Sequence, residues 1–146
     1  MSKSNTWETG LLNLVFNNTT FSGVGDATGL PGSAAAGNLY ASLHTADPGE
    51  TGDQTTSEAT YTSYARVAIV RSSSGFTISG GSVTNAAAVA FPAATGGTNT
   101  ITHVGIGTAS SGAGKLLYSG ALTSSLSVSN GITPSFAIGA LSISED

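Results

Sequence analysis

The densest gathering of reactive side chains is the run His44-Thr45-Ala46-Asp47-Pro48-Gly49-Glu50-Thr51-Gly52-Asp53, which places one imidazole and three carboxylates within ten residues. Oxygen-rich loops of this kind can hold calcium. The spacing does not follow the EF-hand order of ligands, however, and Pro48-Gly49 reads equally well as the centre of a tight turn leaving a strand. A solvated turn is therefore expected, with His44 and Asp47 as candidate contact residues and no metal ligand assigned.

Hydrolytic chemistry needs a nucleophile beside a base, and the only ordinary bases near neutral pH are His44 and His103. Neither lies in a G-x-S-x-G elbow or an H-E-x-x-H helix, so both are expected to be hydrogen-bonded strand residues. Gly105-Ile106-Gly107 and Gly112-Ala113-Gly114-Lys115 look superficially like phosphate loops. A Walker loop needs G-x-x-x-x-G-K-[ST] between a strand and a helix, whereas Lys115 is followed by Leu116 and a strand pattern. Cysteine is absent, which excludes thiolate chemistry, iron–sulfur clusters and thiolate zinc. The expectation is a non-enzymatic chain with no catalytic residue and no cofactor.

Charge narrows the partners. Four Lys+Arg stand against eight Asp+Glu, for a formal charge of −4, and Lys3, Arg66, Arg71 and Lys115 are scattered. Nucleic-acid binding neutralises several phosphates with clustered bases, so no nucleic-acid role is expected, and none at an anionic membrane. Charged residues make up 8% of the chain, while 22 Ser, 20 Thr and 20 Gly take their place. Surface charge is what usually keeps copies of a monomer apart, so a hydroxyl-rich surface predicts a homo-oligomer, a dimer or trimer. The start MSKSNTWETG has no apolar signal core, and no apolar run approaches the length of a membrane span. Synthesis in the cytoplasm is expected.

These residues must be positioned by secondary elements. Trp7, Leu11, Leu14 and Val15 recur at three-to-four-residue spacing, with Leu12 and Phe16 widening the stripe, which predicts a helix over 6–17. Asn5 with Glu8 three positions on is a form of capping box, and Asn17-Asn18 offers an end. Trp7, Leu11, Leu14 and Phe16 are candidate assembly contacts, either anchoring a larger partner or packing on the chain's own sheet. Residues 22–38 are Gly-rich and aperiodic and read as a long loop or flexible connector.

From residue 39 the pattern turns to period two. Leu39, Ala41 and Leu43 share a face, then come 65–70, 76–78, 83–91, 102–108 and 116–118, broken by Gly- and Ser-rich turns. Leu126, Val128, Ile132, Phe136 and Ile138 flank Asn130-Gly131 as a hairpin signal, and Leu141 and Ile143 follow after Gly139. About eight short strands with such turns predict a mainly β fold: an antiparallel β-sandwich or jelly-roll-like domain with one short N-terminal helix. The organisation expected is a helical arm over 1–21, a Gly-rich loop over 22–38 and an antiparallel β-domain over 39–146.

The start SNTWETGLLNLVF, the block NLYASLHTADPGETGDQTT, then YARVAIVRSSSGFTISGGSV, FPAATGGTNTITHVGIGTASSGAGKLLYSG and ITPSFAIGALSISED resemble a family of small tailed-bacteriophage virion structural proteins. Members are often labelled phage tail fibre or structural proteins. The resemblance implies a virion subunit without catalytic residues. A capsid cement or decoration protein, bridging capsomers of the major capsid protein, fits the short chain and the lack of fibre repeats. The alternative is a tail-tip or tail-fibre module that contacts tail proteins and a host surface receptor or glycan.

Overall fold

The computed structural model describes residues 1–145. In chain order the elements are α1 (Asn5–Asn17), β1 (Asn38–His44), β2 (Val67–Val70), β3 (Phe76–Ser79), β4 (Ser82–Asn85), β5 (Val89–Ala90), β6 (Asn99–Gly107), β7 (Leu116–Val128), β8 (Ser135–Phe136) and β9 (Ser142–Ser144). The fold is mainly β with a single short N-terminal helix, and the pairings β1–β6, β6–β7, β3–β4, β4–β9 and β5–β8 are all antiparallel. By packing, the chain divides into two compact units, one of residues 1–38, 69–88 and the stretch from 137 onward, the other of 39–68 and 89–136. The helix-to-sheet connection therefore belongs to the first unit, together with the β3–β4 hairpin and the C-terminal strand.

In that first unit α1 packs on β3 and β4 of a three-stranded sheet ordered β3-β4-β9. The helix starts at Ser4 instead of Asn5: the Ser4 hydroxyl accepts from the Trp7 N–H at 3.4 Å, and Asn5 is already helical. Ser caps as well as Asn does, and the earlier start gains a residue of helix while Glu8 stays in the first turn, where the helix dipole favours an anion. Leu12 and Phe16 are fully buried, and the Phe16 ring meets Phe76 edge-on at 4.9 Å. Gly10 faces the Phe21 ring so closely that a Cβ there would strike it. A glycine in mid-helix costs about 1 kcal/mol against alanine, and here it admits an aromatic ring.

The far end of α1 is fixed from two sides. Asn18 takes the left-handed conformation with φ 54°, and the Thr19 N–H reaches back to the Asn13 carbonyl at 3.0 Å. Arg71 then donates to the Val15 carbonyl at 2.6 Å and the Leu14 carbonyl at 2.8 Å, which puts a cation at the negative end of the helix dipole. The segment 22–38 is irregular, yet it is tied down. Phe21 and Leu30 exchange backbone hydrogen bonds at 2.9 Å, the Asn18 amide brackets the Ser33 backbone at 2.7 and 2.9 Å, and Arg71 also donates to the Ala36 carbonyl. Three side-chain bonds from buried Asn85, to the Ala87 and Ala137 carbonyls and from the Leu141 N–H, hold the return of the chain.

The larger sheet is ordered β2-β1-β6-β7. β1 and β6 lie inside it, hydrogen-bonded along both edges, and side chains on both faces of β1 are buried, Leu39, Ala41 and Leu43 on one and Ser42 and His44 on the other; Ile101, Gly105, Ile106 and Gly107 of β6 are buried as well. β7 ends the sheet and is mostly exposed. In the same unit Phe91 packs between Tyr64, stacked at 6.2 Å, and Phe136, edge-on at 6.3 Å. The expected hairpin across Asn130-Gly131 does not form. Gly131 does turn, with φ 86°, but β7 pairs with β6 and β8 pairs with β5. Pro134 has no N–H to give a ladder; its carbonyl instead accepts from Phe91 at 2.9 Å, which commits this segment to β5. The expected strand over 83–91 is likewise split into β4 and β5.

The seating of α1 gives a measurable contrast. Phe16→Ala should cost about 3–5 kcal/mol, as buried Phe truncations do. Trp7→Ala, at a side chain 39% exposed, should cost about 1 kcal/mol or less. Denaturant unfolding of the two variants against the parent chain measures both, and equal costs would refute this seating.

Candidate functional site: an acidic cleft beside an edge strand

His44 ends β1 and turns inward. Its Nδ1 lies 2.8 Å from the Thr56 carbonyl, which can only accept, so Nδ1 carries the proton. Nε2 is then an acceptor and takes the Ser42 hydroxyl proton at 2.8 Å. Ser42 and His44 stand two residues apart on one face of β1, and Gly105 on β6 makes room for both: a Cβ there would lie 2.8 Å from each of the two polar atoms. Both side chains are fully buried, so this hydroxyl–imidazole pair meets no solvent. Burial holds the imidazole below its ordinary pKa of 6.5, against the raising effects of the Thr56 carbonyl and Glu58. His103 stands opposite His44 across the strand pair and is half-buried, its Nδ1 against the Thr102 hydroxyl at 2.9 Å.

Beyond His44 the acidic run is organised by its own side chains. The Asp47 carboxylate accepts from the Gly49 N–H at 2.9 Å, an Asx turn, and Gly49 takes φ 68°. The Asp53 carboxylate accepts from the Thr55 N–H at 2.8 Å and the Thr55 hydroxyl at 2.6 Å, and these bonds lower its pKa. Asp47 and Glu50 remain exposed at the surface. Among the described residues no group of three or more His, Asp or Glu gathers as a metal site.

The other wall of the site is placed by a buried ion pair. Arg66 meets Glu58 in a two-pronged contact, Nε to Oε1 at 2.6 Å and NH2 to Oε2 at 2.8 Å. The guanidinium also donates to the Ala109 carbonyl at 2.9 Å and the Gly112 carbonyl at 2.8 Å. Gln54 grips the same turn, its N–H on the Ala113 carbonyl and its Oε1 accepting from the Ala109 N–H. The turn between β6 and β7 is thus held at three backbone carbonyls and one N–H, which fixes where β7 begins. Tyr64 completes the knot by donating to Glu58 at 2.9 Å and accepting the Leu43 N–H at 3.0 Å; burial, foremost, raises its phenol well above the ordinary range.

Loop and strand then enclose a cleft of about 490 Å3, lined by Asp47, Gly49, Glu50 and Gly52 on one side and by Leu116, Leu117, Tyr118 and Ser119 on the other. Its carboxylates can accept hydrogen bonds or face a cation, and its strand wall offers aliphatic and aromatic surface. Of the residues singled out from sequence, Asp47 lines this cleft and His44 is buried beneath the strand face. Trp7, Leu11, Leu14 and Phe16 belong to the other unit: Phe16 is core, Leu11 and Leu14 are half-buried, and Trp7 packs on Phe21 at 5.4 Å. Sequence reasoning missed Tyr118 and the Glu58–Arg66 pair. A lone Arg in an alternating strand pattern reads as a solvated position, and only its two carbonyl partners in a distant turn reveal otherwise.

His44 should leave a pH signature. Its folded pKa lies below the unfolded value, so the unfolded chain binds the proton more readily and stability falls as pH drops through about 6.5. One proton gives a slope of at most about 1.4 kcal/mol per pH unit. Thermal or denaturant unfolding from pH 8 down to 5.5 should show this loss, and His44→Gln should flatten it. An identical slope in the variant would place the proton elsewhere.

No helix among the described residues is long and apolar enough to cross a membrane. No curated protein matches the chain. A family model described as Podophage GP4 fiber I protein gp80 matches residues 2–144, nearly the whole length. The chain therefore belongs to this family of phage fibre proteins and is a structural component of the virion.

Proposed function

We propose that the chain is a non-enzymatic fibre subunit that acts at the phage tail in attachment to the host surface. The observation that carries this reading is the fibre-family match across residues 2–144. It favours the tail-fibre alternative over capsid decoration, because nothing in the family's description points to the head. The burial of the Ser42–His44 pair supports a structural role: a nucleophile needs a path to substrate, and this one is sealed by β6 and its own strand. The partners on this reading are other virion proteins and a receptor or glycan on the host envelope, contacted through exposed loops carried on the rigid sheet.

Copy number separates fibre from decoration. Quantitative mass spectrometry of purified particles, with the major capsid protein as internal standard, should find a small multiple of the tail's symmetry. Hundreds of copies, one or more for each capsomer, would overturn the tail assignment. Soluble protein added before infection should slow adsorption if the chain itself touches the host. Unchanged adsorption at saturating protein would confine it to the fibre's scaffold.

A further inference from the structure

Both walls of the cleft between the 47–52 loop and the start of β7 are held by the fold. On the strand side the register with β6 breaks at the cleft itself. Tyr118 faces Ile106 and Leu116 faces Gly107, so Leu117 is an extra residue and β7 bulges there. A bulge interrupts the alternation of faces and re-aims a side chain, and the consecutive residues Leu116, Leu117, Tyr118 and Ser119 all line the cleft. Leu117 is 38% exposed, an aliphatic surface left uncovered beside a half-buried tyrosine.

The facing loop is fixed through its backbone. The Thr45 N–H donates to the Ser57 carbonyl at 2.8 Å, the Gly52 N–H to the Gly49 carbonyl at 3.3 Å and the Gln54 N–H to the Ala113 carbonyl at 2.9 Å. Gly49 and Gly52 line the cleft with main chain alone. Among the described residues the ion pairs are Lys3 with Glu145 and Arg66 with Glu58, so Asp47 and Glu50 keep their charge without a base of this chain. A volume of about 490 Å3 lies within the range of small-molecule sites.

We propose that this cleft binds a neutral saccharide of the host surface, whose hydroxyls donate to the Asp47 and Glu50 carboxylates while its C–H face lies on Leu117 and Tyr118. A pyranose is polar around its rim and apolar across its face, which matches carboxylates on one wall and aliphatic and aromatic surface on the other. A simple cation would leave the apolar wall unused, and an extended peptide would meet the bulged edge of β7 out of register. An acidic sugar would set like charge against the Asp47 and Glu50 carboxylates, in a chain whose net charge is already −4. Hydrogen bonds to a carboxylate are roughly twice as strong as neutral ones, and a loop fixed beforehand loses little freedom in making them. Attachment to the host supplies the saccharide-bearing surface, so this site rests on that reading.

Chemical-shift mapping of the isotopically labelled chain against lactose, maltotriose, mannobiose and diacetylchitobiose tests the site. At least one of these should shift the amides of residues 47–52 and 116–119 saturably at millimolar concentration. Asp47→Asn and Glu50→Gln should each weaken binding of that sugar about tenfold, the loss of one charge-assisted bond. Asn keeps an oxygen for the Gly49 N–H and Glu50 is exposed, so both variants should fold like the parent, which unfolding curves check. No cleft shift with any of the neutral sugars, undiminished binding in both variants, or a cleft that takes sialyllactose or tetralysine but no neutral sugar would each overturn the proposal. Soluble protein that slows adsorption yet shows none of these shifts would overturn the saccharide site and leave the attachment reading standing. Sugar binding at the cleft by protein that leaves adsorption unchanged would support the site and overturn the attachment reading.

Discussion

The Arg66–Glu58 pair is the constraint on which the larger unit depends. Arg66 is nearly sealed from water, with its side chain 2% exposed, and an isolated guanidinium in such a place would cost several kcal/mol. The cost is offset only because its N–H groups meet a carboxylate and two carbonyls. Those carbonyls belong to the turn that launches β7, so the desolvation of one side chain dictates the path of a distant loop. Removing one partner of a buried pair typically costs about 3–5 kcal/mol, a large fraction of the roughly 5–15 kcal/mol that holds a domain together. Replacing both by apolar groups is often harmless to stability, so the pair's role is better sought in specifying the turn. The phenol of Tyr64 joins the knot to the Leu43 N–H of β1, and strand, linker and turn are fixed relative to one another within one unit.

Around this knot the chain uses few other charges. Arg71 works in the same manner in the other unit, spending its donors on carbonyls at the helix end and in the loop that follows. Two of the four bases thus act as multi-pronged clamps on backbone, which lysine could not do with a single compact ammonium. Gln54 shows where such economy has a cost. Its carbonyl oxygen is satisfied by Ala109, but among the described residues its buried Nε2 has no partner, a penalty of about 1–3 kcal/mol accepted to hold the turn.

The sequence reads clearly where side-chain period is strong. Helix α1 and strands β1, β3 and β6 all follow from alternation or helical spacing, and His44 behaves as the hydrogen-bonded strand residue its pattern implies. Reading stops where small residues erase the pattern. β7 continues to Val128 through Ser119, Gly120, Ala121, Thr123, Ser124 and Ser125, whose sizes and polarities carry no alternation, so only its two ends, 116–118 and Leu126 with Val128, were legible. Pairing was less visible still. Asn130-Gly131 does mark a turn, but a turn residue fixes local backbone and cannot say which strand a segment joins; buried Pro134 and its carbonyl decide that. In the cleft, Asp47 was legible as an oxygen-rich loop residue, whereas Tyr118 reaches the site only through sheet order.

Low charge has opposite consequences at long and short range. At physiological ionic strength a screening length of about 8 Å removes most repulsion between two chains that each carry −4, so net charge sets little barrier to their approach. Contacts within a few ångström are screened far less, and there the placement of individual charges governs which surfaces meet. A chain with many scattered lysines and glutamates would offer numerous weak, competing pairings. This chain carries few, and the whole of β7 carries none. The hydroxyls that replace charge keep the surface hydrated without fixing any partner. Of the chain's four Lys and Arg residues, two, Arg66 and Arg71, spend their donors on the chain's own backbone and so add nothing to that choice of surface contacts.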